Sequence, residues 1–249
     1  NSLGLVLEAQ GKLQEAEQQY RISYEGLLEV VGPSAGSTLS AGFNLASTLM
    51  KRALMRDAEA SGRDWKAVVA EAESVHRAVL RGKEATYGRE SAEAMESIDA
   101  LVQLLVSQFG ASKAPEAEAL QRRSLTWRLA RAGSEADDAS FHRGVVQARS
   151  ALAQSLRMQG KLDVALEEFE LAYLACRDSP ELGGQEGVNT FAAATNYAAV
   201  LQELNRAEES LELLKGAVEG LTKVLGPDHP NTKGAMMLYT RSLSQIKKK

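Results

Sequence analysis

The chain has 249 residues, with 29 Lys and Arg against 33 Asp and Glu, a formal charge of −4, 44% apolar residues and only 5% aromatic ones. Five prolines and a surplus of Ala, Leu, Glu and Gln argue against a sandwich or barrel and for helices. The small negative charge excludes a general basic field for nucleic acid or anionic lipid, and the short basic run Lys247, Lys248 and Lys249 reads as a solvated end.

In chain order, apolar periodicity predicts helix pairs at 1–10 with 13–30, 36–58 with 63–85, 90–109 with 114–131, 136–159 with 162–178, and 185–203 with 207–224. A last helix over 229–246 carries Met236, Met237, Tyr239, Leu243 and Ile246 at helical spacing and reads as a cap. The run Gly11-Lys12-Leu13-Gln14-Glu15-Ala16 recurs as Gly160-Lys161-Leu162-Asp163-Val164-Ala165, each time between two helical patterns. The glycine ends one helix, and the alanine lets the next pack closely against it. Anchors at 16, 72, 117, 165 and 210 lie 56, 45, 48 and 45 residues apart, so the period is near 45. This predicts an all-α, right-handed superhelical solenoid of about five antiparallel helix pairs plus a C-terminal capping helix. The whole chain reads as one solenoid, with units at about 1–32, 36–88, 90–133, 136–183 and 185–226 and the cap at 229–246.

The second unit is irregular. Elsewhere a small residue of the first helix precedes the anchor by 12 positions, as Gly4 precedes Ala16, Ala153 precedes Ala165 and Ala198 precedes Ser210, whereas Ala46 precedes Ala72 by 26. Shared equally, the 14 extra residues lengthen each helix by seven and make an extended helical hairpin at about 50–66. Arg56, Arg63 and Trp65 near its tip are candidates for a docking prong, against the alternative of a solvated hairpin.

The run Leu225-Gly226-Pro227-Asp228-His229-Pro230-Asn231-Thr232, with Asn44-Leu45-Ala46 and the Gly-Lys-Leu turns, resembles the longer tetratricopeptide repeat of kinesin light chains. The resemblance implies a concave groove, lined by the first helices, that holds an extended peptide. Its groove positions would include Phe43, Asn44, Ser47, Met50 and Lys51 in the second unit, Gln147, Ser150, Gln154 and Arg157 in the fourth, and Thr195, Asn196, Ala199 and Gln202 in the fifth. Asn44 and Asn196 stand where an asparagine of such repeats hydrogen-bonds a peptide backbone. The Lys and Asn clamp for acidic chaperone tails is replaced by Phe43 with Ser47 and Thr195 with Ala199, which disfavours that ligand. The resemblance implies that the loop holding His229 is structural, with Pro230, Asn231 and Thr232 setting up the following helix, rather than chemical.

Catalytic signals are missing. His76, His142 and His229 are scattered singly, no P-loop or Gly-x-Ser-x-Gly elbow occurs, and Cys176 has no activating neighbour in the sequence. No cofactor or metal is implied, and an enzyme is not expected. No stretch has the roughly 18 to 20 apolar residues of a membrane span and no signal peptide opens the chain, so direct membrane insertion is not expected. The chain starts at Asn1 inside an apolar pattern, which implies preceding residues and leaves room for an organellar address; otherwise the single cysteine suits a cytoplasmic, reducing setting. The function expected is a non-catalytic scaffold or adaptor that binds a protein or peptide on its concave face. The alternative is a structural accessory subunit built permanently into a larger assembly.

Overall fold

Short reversals need a residue that tolerates positive φ, and the chain supplies one at each. In a computed structural model, which describes residues 1–55, 64–131 and 139–247, Gly11 and Gly160 both have φ 75°, and Asn205 stands in the third turn at φ 60°. Asparagine is the residue after glycine that best accepts this conformation. The same hydrogen bond closes all three turns: Lys12 N–H donates to Leu7 O (2.9 Å), Lys161 to Leu156 O (3.0 Å) and Arg206 to Leu201 O (2.8 Å).

The helices these turns separate are α1 (Ser2–Ala9), α2 (Leu13–Val31), α3 (Gly36–Leu54), α4 (Trp65–Tyr87), α5 (Ala92–Leu104), α6 (Ala114–Arg131), α7 (Ala139–Met158), α8 (Leu162–Asp178), α9 (Val188–Glu203), α10 (Ala207–Leu225) and α11 (Pro230–Ile246). A π turn (Leu105–Phe109) and short 3₁₀ turns (Gly110–Ser112, Pro180–Leu182, Gly184–Glu186) complete the described elements, among which there is no strand. The chain divides into two compact units, residues 1–110 and 111–249. Within each, consecutive helices pack on one another, α1 to α5 in the first and α6 to α11 in the second.

Small residues set the close approaches. The five anchors Ala16, Ala72, Ala117, Ala165 and Ser210 are all fully buried. Gly4 is glycine for a steric reason, since a Cβ there would stand 2.5 Å from Cε1 of Tyr20. Ser210 keeps its hydroxyl satisfied by donating to Ala198 O at 3.0 Å. At the start of α11, His229 caps the helix: its Nδ1 accepts the Asn231 N–H at 3.2 Å, and Pro230 fills the first helical position.

One slot recurs with changing chemistry. The residue after the anchor faces the residue six past the small residue of the next first helix. In the first unit the slot holds Glu17, 3% exposed, ion-paired with Arg52, 1% exposed. In the second unit Glu118 accepts from Nε2 of Gln159 at 2.7 Å, and further along Leu166 and Leu204 fill the slot in one apolar cluster. Lys161, the lysine of the Gly-Lys-Leu turn, also donates to Glu118 at 2.8 Å, so its role is structural. Lys161, with Gln159 and Arg122, pulls the Glu118 carboxyl down to about 2.

The irregular second pair differs from expectation in how it uses its extra length. Helix α3 runs eight residues past Ala46, where α1, α7 and α9 run five past their small residues, and α4 starts seven before Ala72, where the other anchors stand three from their helix starts. The described helices therefore gain three and four residues, about one turn each, and not seven. The remainder falls within 55–64, of which 56–63 lie outside the described residues, together with Arg56, Arg63 and the hairpin tip.

A candidate peptide-binding groove

The second unit carries an open groove of about 690 Å³ between α7 and α9, over α8. One wall is a stripe of α7, Arg143, Gln147, Ser150, Gln154 and Arg157, spaced at three or four residues so that all share a face. The opposite wall is Asn189, Ala192, Ala193 and Asn196 of α9. Phe169 and Cys176 of α8, with Leu182 of the following turn, form an apolar floor. Burial pushes the Cys176 thiol up, so it sits there as a small apolar group and not as a nucleophile.

The polar side chains of the walls are unequally engaged. Arg157 donates from Nε and Nη2 to Glu203 Oε1 at 2.8 and 2.6 Å, and from Nη1 to Gln154 Oε1 at 3.4 Å. Asn189 donates to Leu182 O at 3.2 Å, which braces the loop before α9. Gln147, Asn196 and Arg143 are exposed and have no side-chain partner among the described residues.

All four groove positions expected on α7 line this groove. Of those on α9 only Asn196 does. Gln202 is 2% exposed, and its amide donates to Leu238 O and Ser242 Oγ, both at 2.6 Å, so it ties α9 to α11 and is withdrawn as a groove residue. The helical stripe itself points to the residues that sequence reasoning missed, because Arg143 lies one turn before Gln147 and Asn189 two turns before Asn196. Leu182 had no such signal, since it enters from a 3₁₀ turn outside the periodic pattern.

In the first unit the matching face of α3 is occupied by its own neighbours. Asn44 donates to Asn1 Oδ1 at 3.3 Å, Lys51 pairs with Glu8, and Phe43 meets His76 edge to face at 6.0 Å with Lys83 Nζ 4.7 Å above its ring. Ser47 is half-buried and Met50 buried on the same helix. Trp65 is the first residue of α4, 36% exposed, with Lys66 Nζ 5.9 Å from its ring centroid. Among the described residues no cluster of three His, Cys, Asp or Glu is placed to hold a metal, and no helix is long and apolar enough to cross a membrane.

Residues 190–231, which span α9, α10 and the start of α11, match the tetratricopeptide repeat family. A crystal structure of nearly identical TPR-like repeats from Podosopora anserina, assigned to the kinesin light chains, superposes with a TM-score of 0.70 at 16% identity, covering 90% of this chain and 93% of that one. A second crystal structure of those repeats gives 0.67 at 17% identity, with 89% and 93% covered. The fold is the tetratricopeptide-like repeat fold. No curated protein matches the chain by sequence. Repeats of this fold serve in general as protein-interaction scaffolds, because stacking them creates extended faces that no single repeat fills.

Proposed function

We propose that the chain is a non-catalytic scaffold whose second unit takes up an extended segment of a partner protein in the groove between α7 and α9. The observation that supports this most is the contrast between equivalent residues: Asn44 is bonded within its own unit, whereas Asn196 stands exposed over a 690 Å³ groove with no partner among the described residues. An amide that is both donor and acceptor suits a peptide backbone, which offers both groups. The floor of Phe169, Leu182 and Cys176 supplies apolar area for one or two side chains of the segment.

A binding role rather than chemistry also fits the titratable groups. Among the described residues the groove is lined by no pair of a nucleophile and a base, and the Cys176 thiol is shifted away from reactivity. The test is capture of seven-residue peptides from an immobilised array. Gln154→Ala with Asn196→Ala should cut capture about tenfold or more, in line with losing roughly 1.4 kcal/mol of backbone hydrogen bonding. Asn44→Ala should leave capture as it is, and the opposite pattern would remove the groove from the account.

A further inference from the structure

We infer that this groove is electrostatically one-ended and selects an extended segment carrying a single carboxylate, seated at Arg143. The inference rests on the peptide-groove reading above and adds the charge of the ligand and the end of the groove where that charge sits.

Two guanidiniums mark the ends of the α7 stripe. From Arg143 to Arg157 is 14 residues of helix, about 21 Å, the reach of some six or seven extended residues at about 3.3 Å each. The two ends differ in what they have left to give. Arg157 is neutralised by two hydrogen bonds to Glu203, at the C-terminal end of α9. Arg143 is exposed and has no acid within bonding reach among the described residues. Glu181, in the loop that precedes α9, lies 3.5 Å from Nδ1 of the adjacent His142 and is not part of the lining. Among the described residues no Asp or Glu lines the groove, so none of its described side chains would repel a carboxylate approaching Arg143.

A guanidinium presents a fork that matches a carboxylate in two parallel bonds, and a charge-assisted bond is about twice as strong as a neutral one. An acidic group at the Arg143 end therefore gains a strong contact. One at the Arg157 end meets Glu203, which already occupies the fork and adds like-charge repulsion. Asn196 stands exposed on the facing helix α9 and supplies neutral bonds to the intervening backbone.

The experiment uses the full chain and an array of acetylated seven-residue peptides of Ala, Leu, Ser and Asn. Each carries no Glu or one Glu at its first, middle or last position, with the C-terminus free or amidated. Peptides with one carboxylate at a particular end should bind roughly tenfold tighter than uncharged ones or those with it at the opposite end. Whether Glu or a free C-terminus produces the gain identifies the source of the carboxylate. Arg143→Gln should erase the gap, and Glu203→Gln, by freeing Arg157, should create a second preference at the opposite end. Capture without positional preference, a preference that survives Arg143→Gln, or no second preference in Glu203→Gln overturns the one-ended groove. Capture that survives Gln154→Ala with Asn196→Ala, or no capture at all, overturns the groove reading beneath it.

Discussion

The two units place the same repeat positions in opposite circumstances. In the first, the matching stripe of α3 is consumed internally: Asn44 by Asn1, Lys51 by Glu8, Phe43 by His76 and Lys83. In the second, the stripe of α7 and the facing residues of α9 keep Arg143, Gln147 and Asn196 open. The interiors differ in the same sense. The first unit buries an ion pair, Glu17 with Arg52, and a histidine, His76, where the second holds Glu118 with Gln159 in one such slot and a leucine pair, Leu166 with Leu204, in the next. A repeat scaffold fixes where side chains stand, and the local chemistry decides whether a position closes on itself or remains available.

The largest expected effect tests whether the buried polar slot is needed. Glu17→Ala removes a buried carboxylate that pairs with both Arg52 and Arg21 and should cost about 3–5 kcal/mol, concentrated in the first unit. Glu17→Leu with Arg52→Leu should recover most of that loss, because the equivalent slot already accepts Leu166 and Leu204. Amide hydrogen exchange resolved by unit is the suitable readout, since a two-unit chain need not unfold in one step. A double variant no better than the single one would show that the slots are not interchangeable.

His76 gives the next effect, through pH. Its ring is fully buried, neither nitrogen has a hydrogen-bond partner, and burial, with Lys83 nearby, pushes its pKa down to about 4 from the usual 6.5. As pH falls below 6.5 the unfolded chain binds this proton first, so stability is full above 6.5, declines between 6.5 and 4, and changes no further from this group below 4. At about 1.4 kcal/mol per unit the loss is roughly 3 kcal/mol. His76→Leu should remove that part of the decline. Urea midpoints of the first unit at pH 7 and 4.5 would show parallel slopes for both proteins if His76 were not responsible.

The repeat architecture was legible because its signals are local and periodic. The glycine turns, the buried anchors and the loop before α11 each follow from a short run of residues. The α7 stripe was legible for the same reason. Gln202 was not, because its burial depends on α11 returning across α9, a contact between residues 36 and 40 positions apart. The division of the extra length in the second pair was also hidden, since 14 surplus residues fit equally well in helices or in their connection. Nor could the sequence reveal that Asn44 and Asn196, alike in position, differ in engagement: that depends on Asn1 reaching one, while the other overlooks a groove.

The smallest effects come from two helix glycines, one per unit, and they probe packing directly. Gly42 of α3 is buried, and an added Cβ would stand 2.8 Å from both the Tyr24 ring and Val79 Cγ2. Gly216 of α10 is exposed, with nothing within 4 Å of the same atom. Alanine favours a helix over glycine by about 1 kcal/mol at either site, so intrinsic propensity alone predicts equal gains. Overpacking opposes it only at Gly42, where displaced side chains cost about 1–3 kcal/mol. Gly42→Ala should therefore lower stability by roughly 1 kcal/mol, and Gly216→Ala should raise it by about 0.5–1 kcal/mol. Thermal midpoints moving in opposite directions would show that α3 is held tightly on both sides while the surface of α10 has room to spare. Gains at both sites would mean that Tyr24 and Val79 can shift, and that the closed face of the first unit is less rigid than its bonds imply.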